Sequence, residues 1–196
     1  MRLLTSLVCA LCCAVSLHAQ KTSMDAAACE RLAASLKLPG AKVTLAQPVT
    51  SREFTPPAAP GAGAPPAALA DLPAFCRVTL TLTPSSDSDI KSEVWLPLEG
   101  WNGKFQQVGN GGWGGSIQYA ALAAALRRGY AASSTDTGHV GDTAQFALGD
   151  PEKLSDFGYR AVHETAVQSE AIVAAAYATA PRLSYFVGCS GGGRQA

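Results

Sequence analysis

Leu183-Ser184-Tyr185-Phe186-Val187-Gly188-Cys189-Ser190-Gly191-Gly192-Gly193-Arg194-Gln195-Ala196 is the stretch on which the fold turns. Its first five residues have the aromatic and β-branched content of a buried strand. A Gly-x-Ser-x-Gly element follows at once, with Ser190 at its centre. Strand, sharp turn and a serine at the apex between glycines make the layout of a nucleophile elbow. The glycines have a steric reason: a side chain at Gly188 or Gly192 would collide with the adjacent strand or the helix that follows. Ser190 Oγ is then held out at the carboxyl edge of a sheet. The Gly191 N–H faces the oxyanion formed when that hydroxyl attacks a carbonyl, where one such donor contributes about 3–4 kcal/mol.

This layout predicts an α/β fold of the α/β-hydrolase kind, in which the chain order is Ser, then Asp or Glu, then His. A serine hydroxyl needs a base to take its proton, and the base needs an acid to orient it. His139 and His163 precede Ser190, and His18 lies near the N-terminus, so no histidine stands where this order requires one. The expectation is an incomplete α/β-hydrolase, an N-terminal part whose later strands, acid and base lie beyond Ala196. The competing reading is a complete short protein in which Gly-x-Ser-x-Gly is only a glycine-rich turn.

Composition narrows the partners. Fifteen basic and fifteen acidic residues cancel, and no dense Lys/Arg run breaks the balance. That argues against a nucleic-acid or anionic-membrane partner. At the start, Met1-Arg2 supplies a positive region, residues 3–17 are almost wholly apolar or small, and Leu17-His18-Ala19 resembles a cleavage site. The apolar run is short for a membrane span, which needs about 20 residues. Residues 1–19 therefore read as a secretory signal peptide, with an N-terminal anchor as the alternative. Cys9, Cys12 and Cys13 would leave with it. Cys29, Cys76 and Cys189 remain, so an oxidising compartment can form one pair and leave one thiol over. The leftover is either a thiol whose partner lies downstream or a buried free cysteine.

Along the chain, Ala26, Cys29, Ala33 and Leu36 recur at helical spacing, and Pro39-Gly40 closes that helix. Residues 43–49 read as extended. Residues 55–70, rich in Pro, Ala and Gly, read as a surface loop or linker. Residues 76–83 alternate strictly, with Val78, Leu80 and Leu82 on one face, and residues 90–98 return as the second strand of an antiparallel hairpin. After a strand at 104–108 comes Gly109-Asn110-Gly111-Gly112-Trp113-Gly114-Gly115. A glycine-rich loop at a strand's carboxyl end is where this fold places its second oxyanion donor, here Gly111 or Gly112. A purely structural turn is the alternative; a nucleotide loop would end in Gly-Lys-Ser/Thr, which is absent.

Ser116 is read as capping a helix at 117–128, Gly129 as its left-handed cap, and residues 130–134 as the next strand. Asp136-Thr137-Gly138-His139 ends that strand, more readily as a structural hydrogen-bonding turn than as a metal or acid–base pair. A polar loop is expected over 141–157, then a helix over 158–180 with Val162, Ala166, Ser169, Val173 and Ala176 inward, Arg160 paired to Glu164, and Pro181 as its stop. His163 on that helix reads as packing or hydrogen-bonding. The alternation of strands and helices implies parallel crossovers.

The elbow, preceded by Asp156-Phe157-Gly158-Tyr159-Arg160-Ala161-Val162-His163-Glu164, resembles the tannase and feruloyl esterase family. Gly109-Asn110-Gly111-Gly112-Trp113 and Ser134-Thr135-Asp136-Thr137-Gly138-His139 resemble its other signatures in the same order, and the likeness runs from about Cys29 to the end. It implies a secreted α/β-hydrolase cleaving esters of phenolic acids (galloyl, feruloyl or chlorogenate-type, in one branch a terephthalate monoester) through a serine acyl-enzyme. It also implies a disulfide from Cys189 to a Cys beside the catalytic His, leaving Cys29 and Cys76 to each other. A lid inserted after the elbow, often with a structural Ca²⁺, is implied too. Gly191 stands where many members have Thr.

The division expected is a signal peptide at 1–19, an N-terminal segment at 20–70 and the start of the catalytic domain at 71–196. Ser190 is the expected nucleophile and Gly191 an oxyanion donor, with no cofactor or metal site in this stretch. The partner expected is a small phenolic ester, with neither nucleic acid nor membrane, and the location secreted or periplasmic. The alternatives are another secreted serine hydrolase of the same fold or a non-catalytic secreted module. The piece alone is expected to be nearly inactive and poorly folded, with apolar surface exposed.

Overall fold

The computed structural model describes residues 23–58, 67 and 69–196. The leader read at 1–19 and much of the proline-rich stretch lie outside the described residues. Six strands, β1 (Ala41–Val49), β2 (Phe75–Leu82), β3 (Ile90–Pro97), β4 (Lys104–Val108), β5 (Ala131–Thr135) and β6 (Leu183–Val187), form one open sheet. Their order is β1-β2-β3-β5-β4-β6. The first four in that order are antiparallel neighbours, and β5, β4 and β6 are parallel. The helices are α1 (Ala26–Ser35), α2 (Tyr119–Arg127), α3 (Pro151–Ser155), α4 (Ala161–Tyr177) and α5 (Gly191–Gln195).

Strand periodicity divides the core between the two faces of the sheet. Val78, Leu80, Leu82, Val94 and Leu96 pack with Cys29 and Leu32 of α1 and Ile172 and Tyr177 of α4. Phe75, Trp95, Val108 and Ala132 pack with Leu122 and Leu126 of α2 on the other face. The result is a mixed α/β sheet covered on both sides. From β4 the chain crosses by α2 to β5 on one side; from β5 it crosses by α4 to β6 on the other. Crossovers of one hand that step in opposite directions place their helices on opposite faces. They leave a topological switch point at β4, outside whose carboxyl end ligands bind in open α/β sheets.

On the α2 face lies one buried ion pair. Arg77 meets Glu93, whose carboxylate also accepts the Trp95 indole N–H at 3.0 Å and the Tyr119 hydroxyl at 2.9 Å. Desolvation opposes the charge on Arg77, but hydrogen bonding and attraction to Glu93 hold its pKa above the ordinary value. A Cys29–Cys76 disulfide ties α1 to β2. The implied pairing of these two cysteines is therefore present. With a sequence separation of 47, loop closure alone gives it about 4 kcal/mol.

Several local expectations need correction. In α1 the buried residues are Cys29 and Leu32, while Ala26 and Ala33 are exposed. Ser116 does not cap α2: the helix starts at Tyr119 without a side-chain cap, and the Ser116 hydroxyl meets the Gln118 side chain instead. Gly129, with φ +77°, is the left-handed residue expected after it. Residues 141–157 are not plain loop, because they contain a 3₁₀ turn at Ala144–Ala147 and α3, capped by Asp150 with Pro151 at its start. The long helix opens with a π turn, Asp156–Arg160, and ends at Ala178 in the left-handed region rather than at Pro181. Within α4, Val162 and Ala166 are only half-buried, and Ala161, Thr165, Gln168 and Ile172 fill the inward face with Ser169, Val173 and Ala176. Arg160 turns from Glu164 to Glu152 and Asp156, because these partners are gathered around it with Ser85 and Ser88. β6 forms over the residues expected but is mostly exposed, since it pairs with β4 on one side only among the described residues.

Candidate active site

Three loops meet at the carboxyl ends of the parallel strands: residues 109–115 after β4, 136–139 after β5 and 188–190 after β6. Ser190 is exposed, with φ +56° and ψ −113°, a backbone region that side chains disfavour. A Cβ at Gly188 would lie 2.6 Å from the carbonyl of Gly192, so the turn closes only around glycine. At Gly192 the nearest atom would be the Asn110 carbonyl oxygen at 3.2 Å, which belongs to the glycine-rich loop and not to a strand.

That loop is pressed against the elbow. A Cβ at Gly191 would fall 2.9 Å from both N and O of Gly112. One at Gly109 would fall 2.9 Å from Cα of Gly192. Gly109 donates its N–H to the Val187 carbonyl at 2.9 Å, so β4 and β6 stay paired up to the point where both loops begin. Gly191 opens α5, so its N–H points away from the helix body. Gly112 has φ +53°, and the Gly111 carbonyl accepts the Gly114 N–H at 2.8 Å in a tight turn. Ser190, Gly191, Gly111 and Gly112 are thus gathered in one place.

Two polar side chains lock this contact, and sequence reasoning missed both. Gln195 Oε1 accepts the Asn110 N–H at 2.9 Å. Asn110, itself buried, donates from Nδ2 to the carbonyls of Ser116 at 2.8 Å and Thr135 at 3.0 Å. Arg194 donates to the carbonyls of Gly158 and Phe157 in the π turn. A lone Asn inside a run of glycines is a signal for such a role, because its amide can satisfy carbonyls that the glycine backbone leaves open.

Neither His139 nor His163 bonds to Ser190. His139 is buried, donates from Nε2 to the Trp113 carbonyl at 2.7 Å, and has Nδ1 3.2 Å from the Thr137 hydroxyl. His163 lies on the exposed side of α4, beside a groove of about 510 Å³ bordered by Tyr159, Arg194 and Gln195. Asp136 accepts N–H bonds from Lys91 at 2.9 Å and Gly138 at 2.8 Å. Burial nonetheless dominates and pushes its carboxyl up to about 7. Cys189 is free and exposed next to Ser190. Among the described residues no group of three or more His, Cys, Asp or Glu could hold a metal ion.

Residues 76–196 match the family model described as Tannase and feruloyl esterase. This chain belongs to the tannase and feruloyl esterase family. It is 45% identical over 179 residues to an uncharacterized esterase of Xanthomonas campestris pv. campestris, a match covering 89% of this chain and 29% of that protein. Among solved structures, an esterase from Aspergillus oryzae matches with a TM-score of 0.79 at 31% identity, over 87% of this chain and 34% of that one. Feruloyl esterase B from Aspergillus oryzae matches with a TM-score of 0.77 at 34% identity, over 87% of this chain and 33% of that one. The chain spans about a third or less of the length of these family relatives.

Proposed function

We propose that this chain carries the nucleophile and oxyanion-binding part of a carboxylic ester hydrolase acting on esters of phenolic acids. The observation that carries the reading is the contact of Gly191 with Gly112 beside Ser190, whose backbone is held in a disfavoured conformation. In this reading the sheet is the N-terminal part of an α/β-hydrolase, with its nucleophile at the switch point beside β4. Ser190 Oγ attacks the ester carbonyl and gives up its proton to a base. The tetrahedral oxyanion is held by the N–H of Gly191 together with one from Gly111 or Gly112. Collapse expels the alcohol, which takes the proton, and leaves the acyl group on Ser190. Water then repeats the sequence and releases the acid.

With His139 occupied elsewhere, the base and its acid partner come from outside the described residues. Cys189 is exposed beside Ser190, which suits a disulfide to a cysteine next to that base. A calcium ion, as the family resemblance implies, would belong to a lid outside these residues, and no step here uses it. We place the protein outside the cytoplasm: the Cys29–Cys76 disulfide fits an oxidising compartment, and residues 1–19 read as a signal peptide. Among the described residues no helix is long and apolar enough to cross a membrane.

The test uses the protein made from its complete reading frame. Hydrolysis of methyl ferulate, methyl gallate and chlorogenate is measured with and without Ser190→Ala. Mass spectrometry after rapid acid quench looks for an acyl adduct on the peptide containing Ser190. Turnover that vanishes in Ser190→Ala, with the adduct on Ser190, is the result expected. Turnover unchanged in Ser190→Ala would sink the proposal.

A further inference from the structure

We propose that Trp113 is the acyl-group platform of this site, the surface on which an aromatic ring directly on, or one double bond away from, the ester carbonyl lies during attack by Ser190. The inference rests on the reading of Ser190 as nucleophile and adds a specificity-determining residue to it.

The three tryptophans of the chain are not alike. Trp95 and Trp101 are buried, and their indole N–H groups donate to Glu93 and to the Lys104 carbonyl. Trp113 is 46% exposed, and its indole N–H has no partner among the described residues. An exposed tryptophan whose donor is unused is a ready aromatic face with a polar handle.

Its position follows from two independent routes. Trp113 is one residue step, about 3.8 Å, from Gly112, which touches Gly191; Ser190 is one such step from Gly191 on the other side. Through side chains, the Trp113 ring stacks on Phe157 at 5.2 Å and 28°. Phe157 in turn lies under the Arg194 guanidinium at 4.6 Å and has its carbonyl bound by the same arginine. One route runs through the glycine loop, the other through α5, and both join Trp113 to the elbow.

The platform is also held still. His139 fixes the Trp113 carbonyl, while the His139 ring stacks on Phe146 at 3.7 Å, and Phe146 lies 6.4 Å from the indole. Swinging the indole away would break its stacking on Phe157 and its contact with Phe146. Such preorganisation favours a planar acyl group over a short flexible one. The indole N–H then suits a phenolic or methoxy oxygen on the ring.

The experiment compares p-nitrophenyl ferulate with p-nitrophenyl acetate, which share a leaving group, on the protein from its complete reading frame. Trp113→Ala and the more conservative Trp113→Leu are each expected to lower the ratio of kcat/KM for ferulate over acetate at least tenfold, with Trp113→Phe recovering most of it. Ferulate binding to the Ser190→Ala protein, measured by calorimetry, is expected to weaken at least tenfold when Trp113→Leu is added. That second readout needs no turnover, so it separates failure of the platform from failure of the nucleophile assignment. A ratio unchanged in both Trp113→Ala and Trp113→Leu, with ferulate binding also unchanged, would overturn the proposal and leave Trp113 a packing residue.

Discussion

Ser190 has φ +56° and ψ −113°, and holding a non-glycine residue there costs on the order of 1–3 kcal/mol. Removing the Cβ relieves that cost, offset partly by the extra freedom glycine has when unfolded. Ser190→Gly is therefore expected to be more stable than Ser190→Ala by about 1 kcal/mol, read as a higher urea midpoint, although both lose the hydroxyl. Equal midpoints would mean that the turn carries no strain. Asp136 makes a second case. Burial raises its carboxyl to about 7, against about 4 when unfolded. Between those values the folded protein keeps a proton on Asp136 that the unfolded chain has lost, so the contribution of this group to stability is full below pH ~4 and is lost as pH rises to ~7. Urea midpoints should decline across that window by an amount worth up to a few kcal/mol, and Asp136→Asn should flatten the decline. The sequence showed Asp136 beside His139 but not its burial, which depends on β3, far away in the chain, lying beside it and donating the Lys91 N–H.

The elements themselves were the most legible layer. Strict alternation marked β2, a run of β-branched and aromatic residues marked β6, and Gly129 marked the end of α2, because each signal is local. Where partners far along the chain intervened, local reading failed. Arg160 stands one helical turn from Glu164, yet Glu152 and Asp156 hold it, and the helix begins in a π turn. The same applies to α5, too short to predict a face for, whose Gln195 and Arg194 tie it to the glycine loop and the π turn. Gln195→Ala leaves the N–H of buried Asn110 without its acceptor, a loss of about 1–3 kcal/mol. A lower melting temperature is expected, with Gln195→Glu, which keeps the accepting oxygen, close to the original. If Gln195→Glu proved as destabilised as Gln195→Ala, the hydrogen bond to Asn110 would not be what the side chain supplies.

For the whole molecule, alternating strands and helices implied parallel crossovers, but nothing in the sequence said that β5 and β6 would fall on opposite sides of β4. Handedness fixes which face a helix takes once the direction of the step is known; the direction comes from how two apolar helices share the two faces, a property of the assembled sheet. The candidate site inherits this split. Its serine and glycines were readable as motifs, whereas the contact between them exists only because β6 lies next to β4. Among the described residues the same topology leaves β6 at the border of the sheet, with Leu183, Tyr185 and Val187 about half exposed. An edge strand with apolar side chains and open backbone groups is a template for pairing with another chain. Residues 20–196 produced alone are therefore expected to self-associate as concentration rises, seen by sedimentation velocity. Tyr185→Lys and Val187→Lys together should shift the piece toward monomer, because a charged edge resists strand addition. In the protein from its complete reading frame, β6 amides should exchange with deuterium at least tenfold more slowly than in the monomeric piece. A piece that stays monomeric at all concentrations, with β6 amides equally protected in both forms, would show that the described residues already close this edge.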